Sequence, residues 1–111
     1  MYEYQAVIVS VHDGDTVRAD VDLGFSLTWR AMDLRLYGIN APELATPAGA
    51  PARDALIGQV LGKRLTIRTV KDRTEKFGRY LATLLVPQPD GTLLDVNQWM
   101  VTSGHAVVYL P

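Results

Sequence analysis

Residues 35–43 read Arg-Leu-Tyr-Gly-Ile-Asn-Ala-Pro-Glu, and this stretch decides how the rest of the chain is read. It opens as a strand, with Leu34, Leu36 and Gly38 alternating against Arg35, Tyr37 and Ile39. It then breaks at Asn40-Ala41-Pro42. Proline has no N–H to give to a sheet ladder, and it biases the preceding Ala41 toward an extended or turn conformation. A strand ending in this way delivers a guanidinium, an amide oxygen, a free carbonyl and a carboxylate to one small region. There Arg35 can hold a phosphate, and Glu43 can manage a water or a metal.

Working outward, the chain upstream is strand-rich. Residues 4–11 are β-branched and partly alternating, and predict a strand. His12-Asp13-Gly14-Asp15 is a turn, since flanking Asp side chains can accept from nearby backbone N–H groups. Residues 16–23 alternate Val17, Ala19, Val21 and Leu23 against Arg18, Asp20 and Asp22, the pattern of a half-exposed strand. Gly24-Phe25-Ser26 makes a hairpin connection, and residues 27–39 form the long return strand.

Downstream, residues 45–52 are a loop rich in Pro, Gly and Ala, and a helix is expected over 52–62. Residues 64–70 predict a strand with a basic outer face, 71–78 a polar turn and 80–86 another strand. A hairpin tip at 87–92, a second short helix over 94–103 and a closing strand over 105–110 complete the chain. Trp99 and Met100 fall on that helix as core or contact groups. The fold expected is α+β and mainly β: a five-stranded OB-type barrel with a mid-chain helix and a second short helix near the C-terminus.

At 111 residues the chain is long enough for one core, so residues 1–111 are read as a single domain. It has no cysteine, which removes disulfides and thiolate metal sites from consideration. The N-terminal Met-Tyr-Glu-Tyr has neither the basic nor the apolar region of an export signal, and no apolar run is long enough to span a bilayer. These features favour a cytoplasmic protein without membrane contact, although a mature secreted form would read the same. The net charge of −1 argues against a protein that coats nucleic acid. The distribution says more. Seven basic residues fall between Lys63 and Arg79, whereas Asp13, Asp15, Asp20, Asp22 and Asp33 gather early. Such a chain can present a phosphate-facing side next to a cation-holding pocket.

Four pieces carry chemistry together: Asp13-Gly14-Asp15-Thr16, Arg35 with Asn40-Ala41-Pro42-Glu43, the Lys76-Phe77-Gly78-Arg79 turn, and the basic strand before it. Carboxylate, amide and carbonyl oxygens are the hard ligands that Ca²⁺ accepts. Two arginines can clamp a phosphodiester and stabilise the extra charge of its transition state. A carboxylate such as Glu43 can orient or deprotonate an attacking water. Metal, clamp and base are a sufficient kit for phosphodiester hydrolysis. His12 and His105 lie outside these motifs and are read as structural or surface residues. Trp29 is placed on the outer face of the hairpin, either packing or stacking on a base.

The order and spacing of these motifs resemble the staphylococcal-nuclease-like (thermonuclease) domains. The resemblance rests on Asp-Gly-Asp-Thr at 13–16, Arg-Leu-x-Gly-Ile-x-Ala-Pro-Glu at 35–43, Lys-Phe-Gly-Arg at 76–79 and Val96-Asn97 opening the second helix. It implies an OB barrel that binds one Ca²⁺ and hydrolyses DNA and RNA with little sequence preference, leaving 3′-phosphate ends. By the same resemblance Asp15 and the Ala41 carbonyl are metal ligands, Arg35 and Arg79 clamp the phosphate, and Glu43 activates water. Asp13 supports the metal from behind, and Lys76 and Phe77 flank the bound nucleotide. Position 40, usually an aspartate ligand in that family, is Asn40 here, which implies weaker metal binding. The C-terminal helix of longer members is missing, and Tyr109 is the candidate for the base-stacking aromatic. The expected partner is DNA or RNA, for a monomer or a homodimer. The alternative expectation is a catalytically weakened OB module that binds single-stranded nucleic acid.

Overall fold

The computed structural model describes residues 2–74 and 78–109. Three strands follow one another, β1 (Tyr2–Asp13), β2 (Thr16–Gly24) and β3 (Leu27–Leu36), each antiparallel to its predecessor. The short β4 (Ile39–Asn40) and the helix α1 (Gly49–Val60) come next. They are followed by β5 (Arg64–Thr74), β6 (Tyr80–Pro87), β7 (Leu93–Asp95), α2 (Val96–Thr102) and β8 (Val107–Val108).

β5 pairs antiparallel with β1, and β6 antiparallel with β5. β6 then meets β3 in parallel, from Leu34 opposite Tyr80 to Leu36 opposite Ala82. This pairing closes β1, β2, β3, β6 and β5 into a five-stranded barrel, the mainly β OB-type architecture with two helices that the sequence predicts. Closure matters because an open edge would leave a row of unpaired N–H and C=O groups.

The alternating residues fill the barrel. Ile8, Val17, Leu34, Leu36, Leu65, Ile67 and Leu84 are fully buried, while Arg64 and Arg68 of β5 stay outside. α1 packs on β1, and α2 on β6, adding Leu56, Val60, Val96 and Met100 to the same core. Trp99 packs against that core beside His105. Asn97 holds the layers together: its side chain donates to Tyr37 O and Ala82 O and accepts from Leu84 N. A buried amide satisfied at three points stabilises, whereas one left unsatisfied would cost about 1–3 kcal/mol. Among the described residues no helix is long and apolar enough to cross a membrane.

The structure corrects several boundaries. The return strand stops at Leu36, and Gly38, at φ 80°, turns the chain before β4. That turn puts Ile39 in the core, at 4% exposure, and not on the face of Arg35. α1 begins at Gly49, inside the stretch read as loop, because Pro51 sits in the first helical turn, where a missing N–H is harmless. β5 runs on to Thr74, beyond its expected end at 70. The second helix starts at Val96, since residues 93–95 pair with β6 and Asp95 caps the helix by accepting from Gln98 N at 3.0 Å. The closing strand is only the two residues of β8, paired with β4.

Candidate active site

Strand register gathers the charged motifs at one end of the barrel. Thr16 lies opposite Arg35 across β2 and β3, and Arg35 lies opposite Leu81 across β3 and β6, which sets Arg79 close by. The turn between β1 and β2 reaches the Asn40–Glu43 segment through Asp15. The Asp15 carboxylate accepts from Ala41 N at 2.9 Å and from Thr16 Oγ1 at 3.0 Å, and its backbone oxygen accepts from Leu36 N at 2.8 Å. Gly14 makes the approach possible, since a Cβ there would lie 2.7 Å from Ala41 Cβ.

Arg35 faces inward. Its Nη1 lies 3.0 Å from Asp15 Oδ2, with the two side chains only 15% and 10% exposed. The distance is that of an ion pair, but the alignment is not that of a hydrogen bond, so Nη1 has no hydrogen-bond acceptor among the described residues. Nη2 donates to Ile39 O at 3.2 Å and to Asn40 Oδ1 at 3.3 Å. Arg79 Nη1 donates to Thr16 Oγ1 at 3.2 Å, so Thr16 joins the second guanidinium to Asp15.

Glu43 stands apart. It is exposed, and its carboxylate accepts no hydrogen bond from a described residue. What is fixed is its backbone: the Glu43 carbonyl accepts from Thr46 N at 3.0 Å and Thr46 Oγ1 at 2.6 Å. Gly49 then packs its Cα directly on that carbonyl.

The two aspartates divide their charge unequally. For Asp15, burial pushes the carboxyl up, but hydrogen bonding with Asp13, the Ala41 N–H and the Arg35 charge outweigh it and hold the group below the usual carboxylate range. For Asp13, burial and then the neighbouring Asp15 carboxylate push it up.

These residues line one pocket of about 620 Å³. Asp13, Asp15, Arg35, Asn40, Ala41, Glu43, Arg79 and Tyr109 all contribute to its wall. Tyr109 is half exposed there, anchored by its N–H to Gly38 O at 2.8 Å. Lys76 and Phe77, expected beside a bound nucleotide, lie outside the described residues. Sequence reasoning missed Thr16 as the link between Asp15 and Arg79, and Thr46 and Gly49 as the supports of Glu43. The only available signal for Thr16 was its place in the Asp-Gly-Asp-Thr turn.

The donors on this wall are hard oxygens, with no sulfur or imidazole among them, which is the chemistry of a Ca²⁺ or Mg²⁺ site. Among the described residues, however, no three His, Cys, Asp or Glu side chains converge as a metal cluster. Asp15 is the one carboxylate deep in the pocket, and the Asn40 and Ala41 oxygens are uncharged. The residues therefore fit a hard cation held by few charges, as when a substrate phosphate supplies further oxygens.

A closed OB barrel here presents two arginines and several carboxylates at one mouth, groups with the chemistry to meet a phosphate or a cation. The family comparison is specific: the description "Staphylococcal nuclease homologue" matches residues 33–110. The chain belongs to the staphylococcal nuclease family. It is 34% identical over 102 residues to an uncharacterized endonuclease of Escherichia coli O157:H7, covering 92% of this chain and 59% of that protein. It is 34% identical over 115 residues to the Escherichia coli protein ParB, covering 96% and 58%. It is 32% identical over 77 residues to the "Probable staphylococcal-like nuclease CAN3" of Oryza sativa subsp. japonica, covering 69% and 19%. The chain thus spans less than two thirds of the length of each of these relatives.

Proposed function

We propose that the protein is a nuclease that hydrolyses phosphodiester bonds of DNA or RNA with Ca²⁺ as its metal, leaving 3′-phosphate ends. The observation that carries this reading is the convergence of Arg35, Arg79 and Glu43 on the pocket that also holds Asp15. Family membership and relatives described as nucleases support the same reading.

Arg35 and Arg79 bind two oxygens of the phosphodiester, Arg35 exchanging its ion pair with Asp15 for the phosphate. Glu43, exposed and not engaged with a described side chain, accepts a proton from the attacking water as the new P–O bond forms. The 5′ oxygen departs with a proton from solvent, and the phosphate stays on the 3′ oxygen. As negative charge grows on the phosphoryl oxygens, the two guanidinium groups hold it in a site partly shielded from water. A cation held by Asp15, Asn40 O and Ala41 O would supply Lewis-acid stabilisation of the same charge.

The test is cleavage of single-stranded and duplex DNA in Ca²⁺ and in chelator, for the parent and for Glu43→Gln. Calcium-dependent cleavage that falls by at least about 100-fold in the variant is expected. A folded parent that retards single strands but cleaves nothing at millimolar Ca²⁺ would replace this reading with that of a binding module.

A further inference from the structure

Beside the site, on the other side of Arg79 and Thr16, lies a second open cavity of about 690 Å³. Its floor is a polar row across the outer face of three strands: Ser10 on β1 pairs with Arg18 on β2, which pairs with Asp33 on β3. His12, exposed, lines the end of this cavity. None of these four residues lines the first pocket, and the proposed hydrolysis uses none of them.

We infer that this groove is a second nucleic-acid subsite, which takes the strand as it leaves the scissile phosphate and uses Arg18 as its phosphate contact. This deepens the nuclease reading and rests on it. Three features carry it. The two cavities share Arg79, and Thr16 of the second accepts from Arg79 Nη1 and donates to Asp15 of the first, so a chain threaded past the clamp enters the second cavity directly. The floor offers hydroxyl, imidazole and guanidinium donors, the set that meets a sugar–phosphate backbone without reading bases. Finally, Arg18 is held only loosely. Its Nε meets Asp33 Oδ1 at 2.7 Å, but the side chains are 59% and 49% exposed. An ion pair that exposed contributes little to stability, so the guanidinium can exchange Asp33 for a phosphate. Asp33 therefore occupies the place of the ligand, and its carboxylate opposes an incoming strand.

The experiment is binding of fluorescein-labelled oligothymidylates to the Glu43→Gln protein in Ca²⁺, by fluorescence anisotropy, with a dinucleotide and a strand of about twelve nucleotides. Adding Arg18→Ala should weaken binding of the longer strand about eightfold at about 50 mM salt, the counterion release of one phosphate contact, and flatten the salt slope by about 0.7. The dinucleotide, which fills only the first pocket, should bind unchanged. Asp33→Asn should act in the opposite direction and tighten the longer strand. A purely structural ion pair would give the two variants the same sign and no length dependence, and that result overturns the proposal. If the parent does not cleave but the length-dependent, opposite-signed effects appear, the groove stands and the nuclease reading falls. If the parent cleaves and both variants bind both lengths as the Glu43→Gln protein does, the groove falls alone.

Discussion

The support beneath Glu43 gives the sharpest perturbation. Gly49 is the first residue of α1, with helical backbone, and on propensity alone alanine there should stabilise by about 1 kcal/mol. Sterics reverse the sign. A Cβ at Gly49 would fall onto the Glu43 carbonyl and lie 2.6 Å from Leu44 Cα. Both are backbone atoms, so no rotamer change relieves the clash. To reach 3.4 Å, the near edge of ordinary contact, Leu44 must retreat by 0.8 Å (3.4 less 2.6), and the nearer Glu43 carbonyl oxygen by more. That displacement moves Glu43 with it, because its carbonyl is held by the Thr46 N–H and hydroxyl. A shift approaching 1 Å in a catalytic group can reduce rate about 100-fold, and overpacking of this kind destabilises by about 1–3 kcal/mol. Gly49→Ala should therefore lose about 100-fold in kcat while KM changes little, since the Arg35 and Arg79 clamp lies on other elements. Gly58→Ala is the control: nothing lies within 4 Å of its Cβ position, so it should stabilise by about 0.5–1 kcal/mol and leave kcat alone. Steady-state cleavage kinetics and thermal unfolding of both variants decide the matter. A folded Gly49→Ala protein with the parent's kcat refutes the claim that this contact positions Glu43.

Two further predictions concern the oxygen donors. Asn40→Asp places a formal charge where an amide now accepts from Arg35, and should tighten Ca²⁺ by about tenfold. Isothermal titration checks it, and an unchanged Kd would remove position 40 from the ligand set. In the metal-free protein, Asp13→Asn should be more stable than the parent near neutral pH. The raised carboxyl of Asp13 contributes stability that is fully present below its unfolded value and lost as pH rises through the folded one, so at neutral pH the parent bears an unfavourable second charge. The gap should close as pH falls below about 3.9, the ordinary aspartate value. Asp15 has the opposite sign, with stability present above its unfolded value and lost as pH falls through its lowered one. Thermal unfolding in chelator across this range reads the difference, and a variant less stable than the parent at neutral pH contradicts the assignment.

What could be read from the sequence followed from locality. Period-two alternation at 16–23 and 64–69 reveals which residues face a core, and Val17, Val21 and Ile67 obey it. The motif residues could be named because a guanidinium or carboxylate next to a chain-breaking proline announces its chemistry. Gly49 could not, since its neighbours Ala48, Ala50 and Pro51 have loop composition and the partner that forbids a Cβ is set by tertiary packing. Ile39 was misplaced because one positive φ at Gly38 changes which face every following residue takes.

The pairing of Arg35 with Asp15 was equally invisible, although both residues had been singled out. The sequence gives one a phosphate and the other a cation. The barrel instead sets them against each other at 3.0 Å, both nearly buried. Removing one partner from such a pair leaves an uncompensated charge in a poor solvent, which is strongly destabilising. A phosphate that draws Arg35 away must therefore arrive with something that replaces the guanidinium at Asp15. Asn40 sharpens this requirement, for its oxygen is also engaged by Arg35 and brings no charge of its own. The site is held together by these two charges, and on the proposed reading phosphate and cation part them jointly.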